Sequence, residues 1–269
     1  MASRCRRFEG KLALVTGGAN GFGRASVQRL VDEGLEQVIV VDRDGAAAAA
    51  EVQKVRANGG SGFAIECDVA DVDAVAAMAR EVASRIDRLH VLVNSAGISG
   101  SSQGRLEGKF LPTWDAVMNV NLRGTVLVAR ALLPLLKVDG GSIINISSDG
   151  GHCGRRGALV YDASKAGVAQ ASKSMACELV DYGIRVNDVA PGYAVTEFHF
   201  AHAPDPAARK RELEELQPDS CLMRRLARPH EVAAGIAFLA SDDASFVTGT
   251  TLCIDGGRVG LDTRRPVQP

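Results

Sequence analysis

No excess of either charge marks this sequence: 31 basic side chains stand against 32 acidic ones in 269 residues. Such a balance offers no net field to nucleic acid or to an anionic membrane, so the expected partner is a small-molecule substrate. No CxxC pair or disulfide-framework spacing links the six cysteines, Cys5, Cys67, Cys153, Cys177, Cys221 and Cys253. Scattered this widely, they read as reduced, mostly buried thiols in a cytoplasmic protein. No long apolar run follows the basic start MASRCRRFEG, since Leu12 to Val15 is too short for a signal-peptide core or a membrane span. Nothing is therefore expected to export or anchor the chain. No Pro/Ser-rich linker, charge block or internal repeat divides it, so residues 1–269 are expected to form one domain, with a Pro/Arg tail over 258–269. No third ligand joins His199 and His202 beyond Asp205, and no metal is expected.

What is present is an alternation. The runs LALV (12–15), QVIVV (37–41), FAIEC (63–67), LHVLV (89–93), SIINI (142–146), RVNDV (185–189) and TLCI (251–254) are short and rich in β-branched residues. Longer stretches between them repeat apolar residues at three- and four-residue steps, as in 25–31 and 72–86, with Gly34 and Gly59 placed to stop helices. This pattern predicts an α/β fold, a doubly wound parallel sheet with helices on both faces. Trp114 reads as core-facing at a helix start capped by Thr113. One segment breaks the rhythm: 194–229 holds Pro204, Pro206, Pro218 and Pro229 around the charged piece RKRELEEL. It reads as a loop-and-helix insertion over the carboxyl edge of the sheet, where open α/β folds bind ligands.

The first strand runs into Thr16-Gly17-Gly18-Ala19-Asn20-Gly21-Phe22-Gly23 and directly into a helix. Glycines there let backbone approach a pyrophosphate, and the helix start offers free N–H groups with partial positive charge. Asp42 closes the second strand nineteen residues after Gly23, near the ~20-residue offset at which a carboxylate meets the adenosine ribose. A carboxylate accepts from a free ribose diol and repels a 2′-phosphate, which favours NAD over NADP. Arg43 beside it offers the opposite, a guanidinium for a phosphate. In the next turn Asp68 either bonds the adenine edge or caps the following helix.

Tyr161-Asp-Ala-Ser-Lys165 sets a phenol and an ammonium one helical turn apart. A phenol titrating near pH 10 is a poor base unless its anion is stabilised. An ammonium ~5 Å away at an effective dielectric near 20 contributes roughly 3 kcal/mol, or about 2 pKa units. Taken alone the pair is a helix-surface contact. Ser148, at the end of a strand and the same sheet edge, supplies the second hydroxyl that a proton-transfer site requires, while Ser147 reads as structural.

Together Gly17-xxx-Gly21-x-Gly23, Asn94-Ser-Ala96-Gly97, Asn121, Ser148, Tyr161-xxx-Lys165 and Pro191-Gly192-xxx-Thr196 resemble the short-chain dehydrogenase/reductase family over about residues 11–257. The resemblance implies a single-domain Rossmann-type sheet of about seven strands. It further implies cofactor contacts from Asn20, Phe22, Val69, Ala96, Gly97, Pro191, Gly192 and Thr196 beside the glycines, Asp42, Asp68 and Asn94. Tyr161 then resembles the general acid/base and Lys165 the group that lowers its pKa and holds the nicotinamide ribose. Ser148 is placed like the donor that orients the substrate oxygen, and Asn121 like the residue whose backbone distortion seats a water. Ser95 replaces a usual second Asn and keeps a hydrogen-bonding side chain. Asp149, His152, Tyr193 and Phe198 are placed to line the substrate pocket, where Asp149 would select a polar substrate. The expected activity is NAD-dependent dehydrogenation of a secondary alcohol, cyclic or polyhydroxylated, by a homo-oligomer, a tetramer or dimer. The alternatives are an NADPH-dependent 3-oxoacyl-thioester reductase and, from another class, a nucleotide-sensing subunit.

Overall fold

Each of the seven β-branched runs becomes a strand of one sheet in a computed structural model that describes residues 6–100, 106, 110–200, 203–216 and 221–260. They are β1 (Leu12–Thr16), β2 (Gln37–Asp42), β3 (Gly62–Glu66), β4 (Val91–Asn94), β5 (Gly141–Ile146), β6 (Ile184–Pro191) and β7 (Thr251–Ile254). Their order across the sheet is β3-β2-β1-β4-β5-β6-β7, and every neighbouring pair is parallel. The order reverses between β1 and β4, which opens a crevice at the carboxyl edge between the loops that leave them.

Helices cover both faces because the strands are apolar on both. Ala13, Val15, Val38 and Val40 pack toward α1 (Gly21–Asp32), α2 (Gly45–Ala57) and α9 (Pro229–Ala240). Leu14, Ile39, Leu92 and Ile143 pack toward α3 (Val72–Arg85), α5 (Gly124–Leu136) and α6 (Leu159–Leu179). Successive residues of β1 thus serve opposite layers, as the two-residue period of a strand requires. The result is the doubly wound, Rossmann-type α/β fold. Gly34 and Gly59 follow α1 and α2 with φ of +91° and +85°, the left-handed region in which glycine ends a helix without strain. Asp44, Asp71 and Asp205 accept from backbone N–H groups at the starts of α2, α3 and α8 (Pro206–Glu215).

The helix that enters the site from the β4 side is longer than the sequence pattern predicts. It opens at α4 (Phe110–Met118), passes through a π-helical turn at Asn119–Arg123 and continues as α5. Thr113 is therefore inside α4 and does not cap it. Trp114 is half-buried against Phe110, with ring centroids 5.5 Å apart, and is not a core residue. By length and composition alone Phe110–Leu136 would suffice to cross a membrane. In the fold its Val128, Leu132 and Leu136 are fully enclosed between the sheet and α3.

Two further expectations are corrected. Asp71, not Asp68, caps α3; Asp68 is exposed and accepts from Ala70 N in a tight turn. Of the described cysteines, all free, only Cys67 and Cys221 are buried, while Cys177 and Cys253 are exposed. Cys5 and most of the tail, 261–269, lie outside the described residues.

Candidate active site

At the first turn, glycine is required by close approach. A Cβ on Gly17 would lie 2.9 Å from the backbone of Ala96, and one on Gly23 would meet the Gly17 carbonyl. Asn20 precedes α1 without a side-chain cap, so the helix does not satisfy its first N–H groups from its own N-cap. Phe22 turns inward onto the apolar layer. Asp42 ends β2 directly beside this loop, where Oδ2 accepts from Ala19 N at 3.2 Å and Oδ1 from Asp44 N. Arg43 is exposed next to it. Val69 is buried against α5, packed so closely that a Cβ on Gly124 would come 2.9 Å from it.

Four polar residues stand in register across the carboxyl edge: Thr16, Asn94, Asn145 and Asp188 on β1, β4, β5 and β6. All four are buried. Thr16 Oγ1 accepts from Ser95 N and Ala96 N, holding the turn after β4. Asn94 Nδ2 donates to Asn145 Oδ1 at 2.9 Å, and Asn145 Nδ2 donates to Ser172 Oγ of α6 at 2.8 Å. Asn94 Oδ1 is sealed and, among the described residues, has no partner. Asp188 accepts from both Ser147 N and Ser147 Oγ, at 3.0 and 2.7 Å, which makes Ser147 the structural hydroxyl. Burial pushes the Asp188 pKa up, against the lowering effect of those bonds.

Asn121 sits within the π turn and is fully buried. Its amide bonds both backbone groups of Ile98: Oδ1 accepts from Ile98 N at 2.8 Å and Nδ2 donates to Ile98 O at 3.0 Å. Nδ2 also donates to Ser164 Oγ. The side chain thereby ties the loop after β4 to α6. A Cβ on Gly97 would reach 3.3 Å from Asn121 Oδ1 and 3.4 Å from Lys165 Nζ, so Gly97 leaves the space between them open.

Helix α6 presents Tyr161 and Lys165 to this edge. Lys165 Nζ donates to Ile146 O at 2.7 Å and lies 5.8 Å from the Tyr161 ring centre. Burial depresses the Lys165 pKa to about 8, with Asp188 opposing. Burial also pushes Tyr161 up to about 12; the Ser148 hydroxyl and Arg155 work to lower it, and Asp149 and Asp162 to raise it. The expected lowering by Lys165 is thus not the governing effect, because desolvation exceeds it and Arg155 is the cation that acts on the phenol. Arg155 lies 5.4 Å from the Tyr161 ring centre and is held by Asp162, to which its Nε donates at 3.0 Å.

Ser148 donates its hydroxyl proton to Asp149 Oδ1 at 2.9 Å. Asp149 is buried and also faces Arg155 Nη1 at 3.6 Å and Arg258 Nη1 at 3.0 Å. His152, by contrast, is exposed, and only its backbone N–H, which donates to Asp149 O at 2.9 Å, joins it to this cluster. Over the mouth, Phe198 faces Tyr161 with ring centres 6.2 Å apart, and Tyr193 lies 4.8 Å from the Arg258 guanidinium. Pro191 ends β6, and Gly192 N is bonded to Ile254 O. Thr196 is buried near Gly21, and its hydroxyl shares a hydrogen bond with His199 Nδ1 at 3.1 Å. Asp205 is occupied as a helix cap and His202 lies outside the described residues.

Five participants were not singled out from sequence: Asn145, Arg155, Asp188, Arg258 and Glu197. Glu197 Oε2 accepts from Gly21 N at 3.2 Å while Oε1 pairs with Arg24 at 2.6 Å. Burial acts to raise its pKa, yet the backbone bonds and Arg24 hold it below the ordinary carboxylate value. The one sequence signal available was a carboxylate, Asp188, next to Asn187 inside a strand.

Glycines that admit no Cβ, a carboxylate closing β2 and an orphaned amide oxygen on β4 all fit a nicotinamide dinucleotide laid along this edge. Beside it stand a phenol, an ammonium and a hydroxyl. Fold and site define a nicotinamide-dependent oxidoreductase acting on CH–OH or ketone groups. The chain belongs to the short-chain dehydrogenase/reductase family: a family profile described as enoyl-(acyl carrier protein) reductase matches residues 17–258. It is 38% identical over 248 residues to a 3-oxoacyl-(acyl-carrier-protein) reductase of Staphylococcus aureus, covering 92% of this chain and 97% of the relative. It is 36% identical over 252 residues to a D-threitol dehydrogenase of Mycolicibacterium smegmatis, covering 93% and 94%. Among solved structures it is similar to a Pseudomonas aeruginosa RhlG/NADP active-site complex, with TM-score 0.81, 32% identity and coverage of 95% and 98%.

Proposed function

We propose that this protein oxidises a cyclic or polyhydroxylated secondary alcohol with NAD, and reduces the corresponding ketone in the reverse direction. The observation that carries the reading is the charged wall beside Ser148. Asp149, Arg155 and Arg258 are drawn together there, and an apolar acyl chain laid against them would leave buried charge unsolvated. The D-threitol dehydrogenase supports it as a relative of the polyol class.

Tyr161 takes the alcohol proton as the carbinol carbon gives up a hydride and its C–O bond becomes a carbonyl. Ser148 holds the substrate oxygen once its single hydroxyl proton turns to it from Asp149 Oδ1. Lys165 and Asp42 would hold the two riboses of the cofactor, with Gly17, Gly21, Gly23, Asn94 and Thr196 along its length. When bound, the cofactor supplies the hydride acceptor and, in its oxidised form, a positive ring. The π turn at Asn121 provides the carbonyl that seats a water for proton exchange. The segment 194–229 closes as a lid over a single domain, and the chain works as a homo-oligomer in the cytoplasm.

The preference for NAD rests on Asp42, whose carboxylate would repel a 2′-phosphate. A second reading, NADPH-dependent reduction of a 3-oxoacyl thioester, is favoured by the Staphylococcus aureus relative and by exposed Arg43. A screen of secondary alcohols, ketones and acyl thioesters with both cofactors, followed by the absorbance of the reduced nicotinamide, separates the two. Higher kcat/KM for free alcohols with NAD is the expected result. Activity confined to acyl thioesters with NADPH would replace the first reading by the second.

A further inference from the structure

Arg258 Nη1 and Asp149 Oδ2 stand 3.0 Å apart, close enough to form an ion pair. Among the described residues, however, neither atom has a hydrogen-bond partner, and both are sealed from solvent. The contact has the distance of a hydrogen bond without its alignment. Each side leaves something unspent: a carboxylate lone pair on Asp149, and an N–H on Arg258. Such groups are costly when buried, and their cost is removed by a ligand that satisfies both.

Their position fixes where that ligand would bind. The other oxygen of Asp149 accepts from Ser148 Oγ, the hydroxyl placed to hold the reacting oxygen. Arg258 is carried there by the turn after β7. Asp255 accepts from Gly257 N and Val259 N, folding the chain back toward Ser148, and the guanidinium lies against the Tyr193 ring. Tyr193, 43% exposed just before the 194–229 segment, covers the guanidinium.

The chemistry narrows the ligand. Arg155 is already held by Asp162, and Arg258 stands against Asp149, so these two cations and two anions sum to no charge. An anionic substituent would meet the Asp149 carboxylate, and a cationic one would meet two guanidinium groups. A methylene chain would leave both atoms unsatisfied. A hydroxyl does what the site lacks, because it donates to Asp149 Oδ2 and accepts from Arg258 Nη1 with a single oxygen. Asp149 meets Ser148 through one oxygen and Arg258 through the other, so that hydroxyl lies on the same wall of the site as the reacting oxygen.

We propose that Asp149 and Arg258 form a recognition site for a second hydroxyl of the substrate, making the enzyme selective for diols over mono-alcohols. This rests on the alcohol-dehydrogenase reading above and names the substrate class within it. Arg258 is a specificity residue that touches the non-reacting hydroxyl, and Asp149 touches both that hydroxyl and Ser148.

The test compares cyclohexane-1,2-diol, as separate cis and trans isomers, with cyclohexanol at saturating NAD. A hydrogen bond shared with charged groups predicts a kcat/KM for the better diol about 10- to 100-fold above the mono-alcohol. In Arg258→Met the ratio should fall toward unity, and in Arg258→Lys part of it should return. Thermal melting and NADH binding of each variant check that it is folded, and the wild-type ratio stands independently of both. A wild-type ratio near one, or a ratio that Arg258→Met leaves unchanged, overturns the diol site while the dehydrogenase reading survives. Absence of turnover for every alcohol with either cofactor overturns both.

Discussion

At the scale of single residues the phenol is the focus. Burial holds Tyr161 near pKa 12 in the protein alone, and Arg155 is the nearest cation that opposes it. Oxidation requires the phenolate, so the rate rises with pH toward the phenol's pKa. Removing the cation raises that pKa further and moves the rising limb to higher pH. Arg155→Gln is thus expected to lower alcohol oxidation at neutral pH by about tenfold or more, with the deficit shrinking as pH increases. A limb that stays in place, or moves down, would show that Arg155 does not act on Tyr161. The sequence made Tyr161, Lys165 and Ser148 readable because fixed spacing and strand-end position survive without coordinates. Arg155 was not readable: it lies in a loop, and only folding brings it over a ring six residues further along the chain.

At the scale of elements, two devices hold the site. The first is the glycine turn, in which Gly23 allows α1 to start against the Gly17 carbonyl. Gly23→Ala should abolish measurable NADH binding by fluorescence titration. Binding at wild-type strength would mean the turn is not where the dinucleotide lies. The second is the buried chain Asn94, Asn145, Ser172, which joins β4 and β5 to α6. Asn145→Ala leaves a buried N–H₂ and a hydroxyl without that partner and should cost about 2–4 kcal/mol in urea unfolding. A loss below ~0.5 kcal/mol would mean that the neighbours find other partners. Strands were legible to within about two residues because parallel strands are apolar on both faces. The start of α4 was not, since Pro112 is tolerated in a first turn and Thr113 resembles a cap that the longer helix does not need. The polar row Thr16, Asn94, Asn145 and Asp188 was invisible for another reason: it is a property of register between strands, and no single strand carries it.

At the scale of the whole molecule, the fold sets the argument's order. Strand reversal between β1 and β4 makes a crevice, the glycine turn and Asp42 sit on one side of it, and α6 brings Tyr161 and Lys165 to the other. The alternation of strand and helix was sufficient to anticipate this architecture. It was insufficient for substrate choice, because the pocket wall is assembled from the loop after β5, the start of the 194–229 segment and the turn after β7, which are distant in sequence. The proposed reaction depends above all on Tyr161 transferring the substrate proton. It is tested most directly by Tyr161→Phe, with NADH binding by fluorescence and alcohol oxidation by absorbance measured on the same preparation. The account predicts NADH affinity within about threefold of the wild type and turnover reduced by at least about a thousandfold. Turnover within tenfold of the wild type, in a variant that still binds NADH, would contradict it.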